Sequence, residues 1–246
     1  MDRMLYVAMA GAKQTLQAQG IAAHNLANVS TTGFRADLAA FNSLPVQGAG
    51  FPTRVNVVSR GEGFDLSTGP IADTGRDLDV AVKGQGWIAV QAADGGEAYT
   101  RAGDFHVNTD GLLETGAGHL VLGDGGPISV GGAVQVSVAP DGTVSMVPPG
   151  LPATALAVAG RVKLVNPAAS LLQKGPDGLI RQRDGNPAPA DASVHLQIGA
   201  LEGSNVDAPT VLVQMIEYSR QFENATRLMR AAEENAQADQ RLLSAG

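Results

Sequence analysis

The two ends of this chain constrain its fold more than any other feature. Residues 1–32 contain no proline and only two glycines, Gly11 and Gly20, and residues 210–245 contain neither type. Between them, from 33 to about 203, lie most of the 31 glycines and nearly all of the 13 prolines. At the first end Leu5, Met9, Ala12, Leu16, Gln19, Ala23 and Leu26 follow alternating steps of 4 and 3, a heptad seam with one polar member. At the last end Val211, Met215, Tyr218, Phe222, Ala225, Met229, Ala232 and Ala236 repeat the pattern, and Leu212, Ile216 and Leu228 widen it. The spacing predicts helices of about 25 and about 35 residues, ~38 Å and ~50 Å long. Gly33 is placed to stop the first, and Asp207 to cap the second, with Pro209 in its first turn.

The middle reads as β structure. Val- and Ile-rich runs recur at 54–58, 78–82, 87–91, 135–138 and 161–165. Asp-Gly pairs at 94–95, 110–111, 124–125, 141–142, 177–178 and 184–185 punctuate them, and such pairs supply the positive φ that tight hairpins require. No segment between the runs has a helical period long enough for a crossover, so the expected sheet is antiparallel. The fold class is therefore α+β, with N- and C-terminal coiled-coil helices flanking a central antiparallel β-rich domain. The expected divisions are a first helix over 1–32, a partly β connection over 33–75, the β-rich domain over 76–203 and a last helix over 204–246.

A middle of this size forms a globule ~35 Å across, too short to cover both apolar stripes. Isolated helices draw their stability from burying a face, and each large side chain at stake is worth ~1.5–3 kcal/mol on burial. Pairing the two ends with each other shelters part of that surface. The remainder asks for other chains, so the sequence reads as a subunit of an assembly.

Composition removes several classes of function. The net charge is −7 and the 17 basic residues are scattered singly, which argues against nucleic acid or an anionic membrane as partner. The absence of cysteine excludes disulfides, thiol catalysis and thiolate metal sites. Aromatics are 4% of the chain, so the core must be built from Val, Leu, Ile and Ala. The longest uncharged stretch, 142–160, contains Pro148, Pro149 and Pro152 and cannot span a bilayer as a helix. The start, Arg3 followed by apolar residues to Ala10, is too short for a signal-peptide core, and its amphipathic spacing runs on through Lys13.

Four strings carry a resemblance. Asn25-Leu26-Ala27-Asn28-Val29-Ser30-Thr31-Thr32-Gly33-Phe34-Arg35 closes the first helical segment. Asp77 to Trp87 (DLDVAVKGQGW) opens the middle, and Tyr99 to Phe105 (YTRAGDF) follows, with Asp110-Gly111-Leu112-Leu113 behind it. Leu201 to Asp207 (LEGSNVD) precedes the last helical segment. In this order the chain resembles the flagellar basal-body rod and hook family. Its length and the Arg220-Gln221-Phe222-Glu223 string are most similar to a proximal-rod member, with a distal-rod paralogue as the alternative.

The resemblance implies a structural, non-enzymatic protein of the bacterial flagellum, without cofactor or metal. It implies export through the flagellar type III apparatus without a cleaved signal, and assembly in the periplasm into a helical, torque-transmitting rod. Partners would be copies of the chain and other proximal- and distal-rod proteins, with no nucleic acid and no direct membrane insertion. The candidate interface residues are Leu5, Met9, Leu16, Leu26, Asn28, Thr31, Gly33, Phe34, Leu201, Ser204, Asn205, Val211, Met215, Tyr218, Phe222 and Met229.

Some residues carry catalytic potential of their own. Asp77 and Asp79 fall two apart on an expected strand, sharing a face as an acid pair would in a secreted cell-wall hydrolase. Gly84-Gln85-Gly86 precedes a strand, whereas a phosphate loop follows one. His24, His106, His119 and His195 show no metal-ligand spacing, although His106 and His119 could meet across a hairpin. Ser204 lacks the context of a nucleophile elbow; with Asn205 and Asp207 it competes to cap the last helix. A self-contained β adhesin is a further rival, in which the terminal segments would be dispensable.

Overall fold

The computed structural model describes residues 2–45, 55–152 and 155–244. The expected run at 54–58 is seen from Val55, Arg54 lying outside the described residues. Two helices flank a β-rich middle, and the chain divides into two compact units.

The helical unit comprises 1–28, 37–63 and 206–246. Helix α1, Asp2–Ala27, packs along helix α2, Ala208–Ser244. Strands Asp37–Pro45 and Val55–Phe64 pair with each other beside α1. The buried stripe of α1 is small: Ala12, Thr15, Ala18, Ala22 and Asn25. It is offset from the seam expected there, of which Ala12 alone is buried, while Leu5, Met9 and Leu16 face solvent. The physical reason is close approach: short side chains let the two backbones come together, and larger ones would hold them apart. Thr15 satisfies its hydroxyl within this stripe by donating to the Gly11 carbonyl at 3.0 Å. On α2 the expected seam is the more enclosed face, with Val211 and Ala232 buried and Met215, Tyr218, Phe222, Ala225 and Met229 half-buried.

The helix ends have separate explanations. α1 stops at Ala27, where the Asn28 side chain donates to the His24 carbonyl at 2.9 Å. Gly33, expected to end this helix, does not; it lies beyond, in the β unit. At the start of α2 Asp207 caps the helix: its carboxylate accepts from the Thr210 N–H at 3.2 Å and from the Thr210 hydroxyl.

The β unit comprises 29–36 and 64–205. All registered strand pairs in it are antiparallel. A five-stranded sheet runs in the order Leu164–Val165, Trp87–Gln91, Glu97–Thr100, Ile180–Gln182, Leu172–Lys174. A three-stranded sheet joins Gln135–Val138, Thr143–Val147 and Ala157–Arg161. Strand Val80–Lys83 pairs with His195–Ile198, and Ile71–Asp73 with Ala200–Glu202. The core is aliphatic around a single phenylalanine: Val80, Val82, Ile88, Val90, Leu113, Val121 and Leu196 surround Phe105. A second cluster gathers Phe64, Trp87, Tyr99, Leu172 and Ile180. Five of the Asp-Gly pairs lie between paired strands; the pair at 184–185 turns the chain after Ile180–Gln182 without joining a hairpin, and the pair at 124–125 departs in its backbone. There the turn between Leu122–Gly123 and Gly126–Pro127 places positive φ at Gly126 (118°) and leaves Gly125 outside that region.

Candidate functional site

Glu202 closes the last strand of the β unit, and its side chain is fully buried. A buried carboxylate is costly unless paired and hydrogen-bonded. Here one oxygen accepts from Arg35 Nη2 at 2.5 Å and from the Gly69 N–H at 2.9 Å, and the other from Arg101 Nη1 at 2.8 Å. Both arginines are buried as well. Arg101 also donates from Nη2 to the Gly84 carbonyl at 2.7 Å. The indole of Trp87 lies against both guanidiniums, with ring-centroid distances of 5.6 Å to Arg35 and 5.2 Å to Arg101. The edge of Phe64 supports the indole at 6.2 Å.

The four strings therefore converge on one site: the first contributes Arg35, the second Trp87, the third Arg101 and the fourth Glu202. Two cations share one anion. Burial pushes the Arg101 guanidinium below the usual arginine range; the Glu202 carboxylate opposes that shift and the Arg35 charge adds to it. Nε of both arginines and Nη1 of Arg35 are buried without a hydrogen-bond partner among the described residues.

Backbone geometry holds segment 29–36 in this arrangement. The Gly33 N–H donates to the Glu202 carbonyl at 2.7 Å, and Gly33 has φ 67°. A Cβ there would sit 2.3 Å from the Ala102 nitrogen, so no other residue fits without displacement. Asn205 ties three segments: it accepts from the Ala36 N–H at 2.8 Å and donates to the carbonyls of Asp65 at 3.1 Å and Ser67 at 3.0 Å. Lys174 donates to the Arg35 carbonyl at 2.7 Å and lies 4.0 Å over the Phe34 ring. In the helical unit Asn25 makes a two-way contact with the Asp37 backbone, donating to its carbonyl at 2.9 Å and accepting its N–H at 2.8 Å.

Of the residues singled out from the sequence, Gly33, Phe34, Leu201, Ser204 and Asn205 lie in the β unit, Ser204 buried and the others half-buried. Thr31 is exposed in the same unit. In the helical unit Leu26 and Asn28 are half-buried on or beside α1, and Val211, Met215, Tyr218, Phe222 and Met229 line the enclosed face of α2. Leu5, Met9 and Leu16 are 38%, 53% and 51% exposed, and Leu212, Ile216 and Leu228 on α2 are similarly open. Arg35, Arg101 and Glu202 are not marked as a site by sequence pattern. Their signal was present as the charged members of the strings, but nothing in the spacing says that residues 167 apart meet.

The acid pair is not assembled. Asp77 is exposed in a turn, whereas Asp79 is buried, 3.4 Å from Arg76 Nη1, in an isolated bridge with Asp104. They share no strand, because the strand begins at Val80. His106 pairs with Glu114 at 2.7 Å. Among the described residues no group of three His, Cys, Asp or Glu side chains could hold a metal ion, and no helix is long and apolar enough to cross a membrane.

Comparison with known proteins agrees with the four strings. Three family models match: "Flagella basal body rod protein" over residues 5–35, "Flagellar hook protein FlgE/F/G D1 domain" over 81–146, and "Flagellar basal body rod FlgEFG protein C-terminal" over 197–242. The flagellar basal-body rod protein FlgF of Escherichia coli strain K12 is 43% identical, covering 99% of each chain. That of Salmonella typhimurium strain LT2 is 42% identical over the same share. The rod protein FlgG of Agrobacterium fabrum is 31% identical over 95% of this chain and 97% of its own. With its whole length aligned to such relatives, and with the four strings folded into one buried ion site, the chain belongs to the flagellar basal-body rod proteins and is most like those called FlgF.

Proposed function

We propose that this protein is a structural subunit of the flagellar basal-body rod, without enzymatic activity, occupying a proximal position and making contact with copies of itself and with other rod proteins. The terminal segments, 1–32 and 204–246, supply helices that form coiled coils with neighbouring chains. Residues 33–75 connect them to an outer β-rich domain over 76–203. The subunit is passed unfolded through the flagellar type III apparatus, without a cleaved signal, and assembles in the periplasm. The identities to the FlgF proteins of Escherichia coli and Salmonella typhimurium, 43% and 42%, against 31% for a FlgG, support the proximal assignment over a distal paralogue.

One observation carries the assembly reading. The helical unit buries small side chains between α1 and α2 and leaves Leu5, Met9, Leu16, Leu212, Ile216 and Leu228 exposed. Each is worth ~1.5–3 kcal/mol if a neighbour covers it. Many such contacts repeated along a lattice resist shear, which is what a torque-bearing shaft requires.

The test is a double substitution of exposed residues, Met9→Asp with Leu16→Asp, introduced into motile cells in place of the wild-type chain. The expected outcome is loss of motility and absence of the subunit from purified basal bodies, with the unfolding transition of the purified chain's β unit unchanged. Normal swimming and normal incorporation would overturn the reading.

A further inference from the structure

Asp-Gly pairs do more than turn a chain. Glycine puts an unhindered backbone nitrogen next to the aspartate side chain, and attack of that nitrogen on Cγ closes a five-membered ring. The fold decides which of the six pairs has the freedom to reach that geometry. In five of them the glycine N–H donates to the carbonyl three residues earlier, at 2.9–3.1 Å: Gly95 to Ala92, Gly111 to Asn108, Gly142 to Ala139, Gly178 to Gly175 and Gly185 to Gln182. The same five glycines have φ between 73° and 87°. Ring closure there must first break a hydrogen bond and unwind a fixed turn.

Four of the aspartates are tied as well. Asp94 accepts the Gly96 N–H at 2.9 Å, Asp141 the Thr143 N–H at 3.1 Å and Asp184 the Asn186 N–H at 3.1 Å, and Asp177 is paired with Arg181. The Asp110 carboxylate accepts no hydrogen bond among the described residues, but its glycine is held: a Cβ on Gly111 would lie 2.7 Å from Gly131 Cα. The pair at 124–125 differs from all of these. Asp124 is exposed, and among the described residues neither its carboxylate nor the Gly125 N–H has a hydrogen-bond partner. Gly125 lies outside the left-handed region, with nothing within 4 Å of the place a Cβ would take.

We infer that Asp124-Gly125 is the site at which this chain modifies itself, by forming isoaspartate through a succinimide. The Gly125 nitrogen bonds to Asp124 Cγ and gives up its proton, and one carboxyl oxygen leaves as water. Water then adds to either carbonyl of the ring. Opening at the side-chain carbonyl restores aspartate; opening at the main-chain carbonyl leaves the backbone running through Cγ. The water lost is regained, so the step needs no oxidant, reductant or enzyme. The charge is unchanged, while the turn between Leu122–Gly123 and Gly126–Pro127 gains one main-chain carbon.

The full chain is incubated folded at physiological temperature in mildly acidic buffer, then digested and mapped by mass spectrometry with electron-transfer fragmentation, which distinguishes isoaspartate from aspartate. Isoaspartate at 124 is expected to accumulate at least about tenfold faster than at any of the other five pairs. In guanidinium chloride the six rates should come together, because only local sequence then distinguishes the pairs. Gly125→Ala adds a Cβ in open space and should leave the circular dichroism spectrum unchanged while slowing the reaction at 124 at least about tenfold. Asp124→Asn, whose amide releases ammonia more readily than the acid releases water, should convert faster than the wild type at neutral pH. Three results would overturn the site. They are a second pair reacting as fast as 124 in the folded chain, unfolding that accelerates 124 as much as the others, and an unchanged rate in Gly125→Ala.

Discussion

The helical and β units dispose of their large apolar side chains in opposite ways. In the β unit Phe105, Ile88, Leu113, Leu196 and Val90 are sealed, and even an arginine–glutamate–arginine cluster is shut away beneath an indole. In the helical unit the sealed positions of α1 are Ala12, Thr15, Ala18, Ala22 and Asn25, while Met9 and Leu16 stand in solvent. Both units belong to one chain with one composition, so the difference is one of arrangement. Antiparallel strands let alternate residues from many segments converge on a common interior. Two helices offer only one stripe each to one another, and a stripe of small residues leaves the larger ones outside. The β unit has a sealed interior, with Val134, Leu156 and Val158 exposed on its surface, whereas on α1 of the helical unit the sealed positions carry small side chains and the larger ones lie outside.

The sharpest way to break this contrast is to remove the anion at the centre of the β unit. Glu202→Ala leaves two buried guanidiniums uncompensated, and such a loss costs ~3–5 kcal/mol. Urea unfolding followed by Trp87 emission should show it as a large drop in midpoint. A change below ~1 kcal/mol would mean that the cluster is not what holds 29–36 to the strands.

A glycine pair sharpens the same contrast with opposite signs. Gly33→Ala forces a side chain at φ 67° into the backbone of Ala102 and should destabilise the β unit by ~1–3 kcal/mol. Gly20→Ala lies mid-helix in α1 with nothing within 4 Å of the new Cβ, and should stabilise α1 by ~0.5–1 kcal/mol. Circular dichroism melts of the two variants should therefore move in opposite directions. Equal shifts would erase the distinction between a glycine required by its surroundings and one merely tolerated.

The smallest effect concerns pH. Two hydrogen bonds from Arg181, at 2.8 and 2.5 Å, are the leading cause holding the Asp177 carboxyl below its usual range. A carboxyl depressed by folding contributes stability that is full above its unfolded value, ~3.9, and is lost as pH falls through the folded value. The pair is partly exposed, with side-chain accessibilities of 34% for Asp177 and 23% for Arg181, so the contribution is screened to below ~1 kcal/mol. Asp177→Asn should be slightly less stable than the wild type at pH 7, and the gap should close on acidification below ~3.9. A gap that widened at low pH would contradict the ion pair.

Much of this architecture was legible in residue order, for identifiable reasons. Helix existence followed from runs without breakers and from periodicity, which are local properties; the α2 seam from Val211 to Met229 lies on its enclosed face for the same reason. Hairpins followed from Asp-Gly chemistry, and the one displaced turn, at Gly126, lies where three glycines fall close together and local sequence does not choose among them. The α1 seam was less legible: periodicity gives a stripe's spacing, whereas its rotation about the axis depends on how closely the partner helix approaches. The family strings could be recognised without knowing why they contain Arg35, Trp87, Arg101 and Glu202.

What the sequence determined by itself was the order and type of elements, an aliphatic core and the excess of apolar surface at the ends, because propensity, turn chemistry and hydropathy act over a few residues. What only the tertiary structure decided was that Arg35 and Arg101 share Glu202 under Trp87, that Gly33 serves the strands and not the helix, and that Asp77 and Asp79 part company. Those outcomes depend on side chains as much as 167 positions apart meeting in a water-free interior. There charge and volume must be satisfied together, and no local pattern records which partner will arrive.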